Sequence, residues 1–332
     1  MQTLHLKVDP NKPNPKIIEI AATLIREGET VAFPTETVYG VGTNGLDEKA
    51  VQRVFAAKGR RMNNPLLMHV MSWDQASSLV DRIADEVILL VKKFWPGPLT
   101  LVAFSNDRVP KLVTAGLPTV GLRMPDHRVA LDLIKAAGVP VAATSANLSG
   151  RPSPTSAEHV KNDLNGKIAG IVNAGTTGWG IESTILDVTR RPFAILRPGA
   201  VSRERLEEAV PGLIKAAPPR PRRSILNKTP HYRPNAKVIP VKTGGPLVEL
   251  AQAAVAKGMR VGIVAVTQQI LPAHLDLAVQ VNGGSAEYGR RLFEIFRMAD
   301  KRKIDCLYME LPEETGLGVA VADRIYEAAS GR

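Results

Sequence analysis

A single cysteine, Cys306, in 332 residues excludes an internal disulfide, and six scattered histidines without close pairing give no zinc or haem spacing. A protein-built transition-metal site is therefore not expected. No stretch approaches the ~18 to 20 uninterrupted apolar residues of a membrane span, and the opening MQTLHLKVDPNKP lacks the apolar run of a signal peptide. The cytoplasm is the expected compartment, with no membrane partner. The Walker loop GxxxxGK[ST], HExxH, GxSxG and CxxC are all missing, which removes the usual signatures of P-loop, zinc and serine-nucleophile chemistry. No internal repeat is found.

Acidic residues are absent from one long segment. Between Ala209 and Val248 there is no Asp or Glu, while Lys215, Arg220, Arg222, Arg223, Lys228, Arg233, Lys237 and Lys242 are all present. The formal charge of the chain is +11, and most of it belongs there. Such an excess points to an anionic partner: nucleotide, phosphate or RNA. Prolines crowd the same segment, Pro218, Pro219 and Pro221 among them, so it can neither propagate a helix nor enter a sheet. Residues 211–235 read as a linker. It is either a semi-stiff spacer or a basic flap over an anionic site; His231-Tyr232-Arg233-Pro234 at its end favours the flap.

The remaining composition is that of a folded chain, 44% hydrophobic and 23% charged, and its length suits two domains. Before the linker, Asn14-Pro15 is a helix start, and Ile17, Ile20, Ala21 and Leu24 recur at helical spacing until Gly28. Short apolar runs at 30–33, 66–71, 100–104, 120–122, 139–143, 170–172, 183–188 and 194–196 read as strands of a largely buried sheet. Helical patterns at 48–58, 84–94, 128–137 and 202–209 separate some of them, which predicts an α/β domain with a mixed sheet. After the linker, strands at 237–241, 260–265, 277–281 and 305–310 alternate with helices at 247–257, 285–299 and 318–329. That alternation predicts a small α/β unit with a parallel sheet. Its Gly pairs form no GxGxxG, so they read as turns and caps.

Polar residues gather where strands end. Phe33-Pro-Thr-Glu-Thr-Val-Tyr-Gly40 places Thr35, Thr37 and Tyr39 as the chain leaves a strand. Lys58-Gly-Arg-Arg-Met-Asn-Asn64 follows a helix; capping explains Lys58 but not Arg60, Arg61, Asn63 and Asn64, which suit a polyphosphate. His69 lies in an apolar strand and is either a satisfied core histidine or a ligand contact. Arg123 ends a strand, and a buried arginine needs an anion, from the protein or from a ligand. Ala143-Thr-Ser-Ala-Asn-Leu-Ser-Gly-Arg-Pro-Ser153 offers small side chains and neutral donors, with Ser145, Asn147, Ser149 and Ser153 the candidates, although a turn-rich connection has the same composition. Ser183 enters one strand and Arg197 ends another. Together these groups suit a nucleotide or phosphorylated substrate handled electrostatically.

FPTETVYGVG, KGRRMNNPLLMHV, FWPGPLTLV, TVGLRMPDH, AATSANLSGRPSPT, GIESTILD and ILRPGA, in this order, resemble the YrdC-type catalytic domain of threonylcarbamoyl-AMP synthases across residues 14–209. The C-terminal part, with Glu310-Leu-Pro, Gly316-Leu-Gly and Asp323-Arg324, resembles that of the long two-domain form. The resemblance implies a YrdC-type twisted mixed sheet with flanking helices over 1–210, a linker over 211–235 that serves as a lid, and a small Rossmann-like α/β domain over 236–332. It implies synthesis of L-threonylcarbamoyl-AMP and pyrophosphate from L-threonine, bicarbonate and ATP, a nucleotidyltransferase reaction. The product serves the threonylcarbamoyladenosine modification of tRNAs reading ANN codons. The same resemblance assigns the amino acid to Thr35, His69, Arg123, Ala143 through its backbone, and Ser183. It assigns ATP to Arg60, Asn64, Thr119, Ser145, Ser153, Arg197 and Tyr232, with Lys58 and Arg60 catalytic beside the phosphates. Mg²⁺ is expected on phosphate oxygens, with no protein-built metal site. The expected partners are the downstream tRNA threonylcarbamoyl transferase machinery and, by direct contact, tRNA or RNA. Arg61 departs from the family pattern, where proline is common, and so does Ile225-Leu-Asn-Lys-Thr-Pro230. The rival readings are an RNA-binding module with a vestigial nucleotide pocket, and the related carbamoyl-adenylate module of hydrogenase-maturation proteins.

Overall fold

The computed structural model describes residues 2–81, 83–215 and 231–330. They fall into two compact units. The described residues of Met1–Ser149, Ser153–Gly178 and Glu182–Lys228 make the first; those of Gly150–Pro152, Trp179–Ile181 and Thr229–Arg332 make the second.

The first unit runs β1 (Leu4–Lys7), α1 (Pro15–Arg26), β2 (Val31–Phe33), β3 (Gly40–Asn44), α2 (Glu48–Lys58), β4 (Leu67–His69), α3 (Trp73–Ser77), α4 (Asp85–Phe94), β5 (Leu99–Phe104), α5 (Lys111–Thr114), β6 (Thr119–Arg123), α6 (Arg128–Ala137), β7 (Val141–Ser145), α7 (Ala157–Leu164), β8 (Gly170–Asn173), β9 (Thr184–Asp187), β10 (Ala194–Arg197) and α8 (Arg203–Ala209). The strands form one mixed sheet in the order β1-β8-β2-β3-β7-β4-β6-β5-β9-β10. Local chemistry sets the helix starts as expected: the Asn14 side chain accepts from the Lys16 amide with Pro15 in the first turn, and Asp47 caps α2. α2 then ends on Gly59, whose φ of 61° suits glycine.

The buried face of α1 is Ile18, Ala21, Ala22 and Ile25. This corrects the face predicted from Ile17, Ile20, Ala21 and Leu24, since Ile20 is 46% exposed. The run Ile17-Ile-Glu-Ile-Ala-Ala permits two helical phases, and packing on Val129, Ala130 and Leu133 of α6 selects one. Two strands went unrecognised in the sequence. β1 is mostly exposed and gains its place by parallel pairing with β8. β3, Gly40-Val-Gly-Thr-Asn, has too much glycine to look like a strand; a Cβ on Gly42 would lie 2.7 Å from both Ala143 Cβ and Val141 Cγ1 of β7. The expected linker starts at 211, yet the Phe193 amide donates to the Leu213 carbonyl and the Lys215 amide donates to the Phe193 carbonyl, around buried Ile214, so the chain is still paired there. Residues 216–230, including the divergent run ending at Pro230, lie outside the described residues.

The second unit contains β11 (Lys237–Val241), α9 (Leu247–Val255), β12 (Val261–Ala265), β13 (Leu277–Gln280), α10 (Gly284–Lys301), β14 (Cys306–Glu310) and α11 (Leu317–Ala329). Its sheet, β11-β14-β12-β13, is parallel throughout, as the alternation of patterns predicts. Glu310, 1% exposed at the end of β14, accepts the amides of Gly244, Val266 and Thr267 and the Thr267 hydroxyl. One carboxylate thus fastens the loops that follow β11 and β12. Among the described residues, no helix is long and apolar enough to cross a membrane.

Candidate active site

Strand register builds the floor of the site. Side chains alternate across a sheet and register partners share a face. Gly40 pairs with Ser145, Gly42 with Ala143, Leu67 with Ala143 and Gly121, and His69 with Arg123, while Thr119 pairs with Phe104 on β5. Ser145, Ala143, His69, Thr119 and Arg123 therefore stand on one face. The opposite face is packed with Val41, Met68, Ala142, Val120, Leu122 and Leu101 in the large core. On the floor side, α1 and α6 cover the part near β2, β7 and β8. Toward β4, β6, β5 and β9 this face carries Leu67 and Val102 beside small or polar residues: Gly121, Thr100 and Ser183 join those named, and the Thr100 and Ser183 hydroxyls lie 2.8 Å apart. Five of the residues expected from the sequence are thus gathered by register on neighbouring strands, and Ser183, just before β9, joins them through Thr100.

Cations and amides form one rim. The Lys58 ammonium donates to the Ser145 and Asn147 carbonyls, and the Lys58 carbonyl accepts the Ser149 amide, so the end of α2 and the 145–149 loop are tied in both directions. Lys58 is 2% exposed; burial, and then the neighbouring Arg60 cation, hold its ammonium well below the usual lysine range, with Asp163 opposing them. Its visible work is shaping the loop. Ser145 Oγ donates to Asn147 Oδ1 at 2.5 Å, and Asn147 Nδ2 to the Leu148 carbonyl at 2.7 Å. Asn147 was one of several loop candidates in the sequence, and its buried partnership with Ser145 is what singles it out. Arg60 donates to the Asn64 and Pro65 carbonyls at 3.2 and 2.9 Å, which fixes its guanidinium beside buried Asn64. Ser153, fully buried, donates to Glu182 at 2.6 Å. Arg197 donates to the Ser183 carbonyl at 2.8 Å. The glycine in the turn after β10 permits this: an ideal Cβ on Gly199 would lie 2.4 Å from Ser183 C and Thr184 N.

The other end of the floor is more buried. Thr35 Oγ1 donates to the Val38 carbonyl at 2.7 Å and lies 2.9 Å from Thr37 Oγ1, closing the turn after β2. His69 packs edge-on against Phe33, 6.1 Å between centroids, and its Nδ1 has no hydrogen-bond partner in the protein. It is therefore not the satisfied core histidine that the apolar strand allowed. Burial, then the Arg123 cation, push its pKa down to about 3, only partly offset by the Leu67 and Val141 carbonyls, so the imidazole is neutral. Arg123 is 4% exposed and meets the Glu36 carboxylate at 2.7 Å. The anion that a buried arginine requires is, in the protein alone, Glu36 of the PTET turn. Beyond it stand Asp126, its pKa raised by burial and by the Glu36 charge, and His127, lowered by burial and opposed by Glu36 and Asp126. Sequence reading passed over Glu36 because the turn shows no partner for it; only the fold brings it to Arg123.

Tyr232 belongs to the second unit. It adopts φ 61°, lies 5.3 Å from Phe293 centroid to centroid, and has the buried Arg324 guanidinium 5.2 Å over its ring. Among the described residues no group of three His, Cys, Asp or Glu could hold a metal ion. The carboxylates near the rim are engaged within the protein, Glu182 by Ser153 and Asp163 by the Leu148 amide, a setting that suits a metal borne on a ligand's phosphates.

A family model described as telomere recombination matches residues 23–199, and another, described as the C-terminal domain of threonylcarbamoyl-AMP synthase, matches residues 201–330. A Pyrococcus abyssi protein named threonylcarbamoyl-AMP synthase is 43% identical over 326 residues, 95% of this chain and 94% of its own length. A Bacillus subtilis protein of the same name is 41% identical over 330 residues, 96% and 94% of the two chains. The crystal structure of P. abyssi Sua5 complexed with L-threonine matches with a TM-score of 0.90 at 39% identity, covering 98% of each chain.

Proposed function

The chain belongs to the threonylcarbamoyl-AMP synthase family, and from that membership we propose that its first unit makes L-threonylcarbamoyl-AMP and pyrophosphate from L-threonine, bicarbonate and ATP. The product would feed the machinery that transfers the threonylcarbamoyl group to adenosine in tRNAs reading ANN codons. The observation that carries this reading is the shared floor, where a buried arginine and hydroxyls adjoin a cation-rich rim.

Arg123, with Thr35, His69, Ser183 and the Ala143 backbone, takes the amino acid. Neutral His69 has an open nitrogen for the substrate's hydroxyl. The α-ammonium gives up a proton, and the free amine then adds to bicarbonate with loss of water, or to carbon dioxide with loss of a second proton, to give a carbamate. Its oxygen attacks the α-phosphorus of ATP in line, the bond to the bridging oxygen breaks, and pyrophosphate leaves with that electron pair. Charge accumulates on the phosphates, so the work asked of the protein is positioning and neutralisation. Arg60 and Arg197 supply it, held in place by their bonds to the Asn64, Pro65 and Ser183 carbonyls. Lys58 acts through the loop whose carbonyls it grips. Ser145, Ser153, Asn64 and Thr119 complete the nucleotide side. Mg²⁺, carried by ATP, would add further neutralisation.

The test is threonine-dependent pyrophosphate release from ATP and bicarbonate, with the acyl adenylate identified by mass. Release that needs no amino acid contradicts the proposal.

A further inference from the structure

The Glu36–Arg123 pair is unusual in what it leaves unused. Both side chains are nearly buried, 9% and 4% exposed, and they meet at 2.7 Å. Yet neither Glu36 carboxylate oxygen, nor Arg123 Nη2, has a partner in hydrogen-bond geometry. The Arg123 Nε bond to the Gly97 carbonyl is long, 3.4 Å. Buried ion pairs are costly to desolvate, and this one lacks the supporting hydrogen bonds that normally offset the cost. Two further titratable groups feel the Glu36 charge, Asp126, which is exposed, and His127, whose Nδ1 also has no partner in the protein. The Glu36 carboxylate therefore has room in its hydrogen bonding for one more cation. Opposed acceptors and donors, side by side on a small floor, are the complement of a zwitterion: a carboxylate for the guanidinium and an ammonium for the acid.

We propose that Glu36 receives the α-ammonium of the substrate amino acid while Arg123 holds its α-carboxylate, so that Glu36 selects an α-amino acid over the corresponding acid without the amine. The inference rests on the reading that the Arg123 end of the floor is the amino-acid end. Glu36 here is a binding and orienting residue: it presents the amine toward the nucleotide side, where the carbamate must form.

Calorimetric binding of L-threonine and of 3-hydroxybutanoate, which keeps the carboxylate and hydroxyl but lacks the amine, separates this from a merely structural role. Glu36→Gln should weaken L-threonine by roughly 10- to 10²-fold, the worth of a hydrogen bond to a charged group. Affinity for 3-hydroxybutanoate should hold or improve, because the acid competing for Arg123 is gone. Equal losses for both ligands mean that Glu36 only positions Arg123, and no loss for either means that it plays no part; each overturns the proposal. Should Glu36→Gln fail to fold, Glu36→Asp keeps the charge one methylene back, and it too must weaken L-threonine more than the analogue. The full-length unaltered protein reports separately on the functional reading. If it binds L-threonine and releases pyrophosphate while the variants discriminate as it does, only the role of Glu36 fails; if it binds no L-threonine, both readings fail.

Discussion

At the scale of single residues, the account turns on which polar groups are committed and which are open. Arg60 and Arg197 are held by backbone carbonyls, which fixes each guanidinium at the rim proposed to take the phosphates. Arg60→Ala and Arg197→Ala should each lower turnover by about 10²-fold or more, read as pyrophosphate release at saturating substrates, the usual loss when a charge-stabilising donor is removed. Near-normal rates for both would place the phosphates elsewhere. His69 gives a stability prediction. Its folded pKa, about 3, lies below that of an unfolded histidine near 6.5, so between these values the unfolded chain binds the proton and stability falls as pH falls. Within that window His69 should contribute a slope of up to about 1.4 kcal/mol per pH unit, flattened in His69→Gln and measured by denaturant titration. The cations and hydroxyls at strand ends were legible as residue types. What they touch was not: Glu36 and Asn147 look no different in sequence from Thr37 or Asn63, and only register and loop closure bring them to Arg123 and Ser145.

Among elements, most helices with a cap and an amphipathic face were readable, though not α7, which Ser156 caps, and strands with apolar runs nearly so. The two missed strands have a common cause. β3 is rich in glycine because β7 packs against it, and β1 is exposed, so tertiary pairing rather than local preference makes both strands. The phase of α1 was settled by α6 for the same reason. The turn after β10 shows how an element can act on the site. Gly199→Ala would drive a methyl into the Ser183–Thr184 backbone, costing about 2 kcal/mol by overpacking and displacing Ser183. The denaturation midpoint should fall, and KM for L-threonine should rise more than KM for ATP. In the second unit, Glu310 is held below the usual carboxylate range by the Gly244 and Thr267 hydrogen bonds, against the opposing effect of burial. A depressed folded pKa stabilises above the unfolded value near 4.5, and that contribution is lost as pH falls toward the folded one. Unfolding of the unaltered protein should steepen below pH ~4.5, and Glu310→Gln should remove that increment while lowering stability at neutral pH.

For the whole molecule, a net charge of +11 bears on the substrates unequally. ATP is an anion drawn by the field of the protein, whereas L-threonine is a neutral zwitterion held by short-range contacts. KM for ATP should therefore rise several-fold as salt is raised from about 0.05 to 0.3 M, with KM for L-threonine changing little; equal sensitivity would show that long-range attraction contributes nothing. The central claim is that one sheet face joins an amino-acid end to a phosphate end so that a carbamate can attack ATP. It is tested most directly by incubating the purified chain with ATP, Mg²⁺, bicarbonate and either L-threonine or L-serine, following pyrophosphate and the adenylate mass together. The account predicts release that depends on L-threonine and a threonylcarbamoyl-AMP product. No adenylate with either amino acid, from a folded protein that still retains RNA, would contradict it and leave the RNA-binding reading in its place.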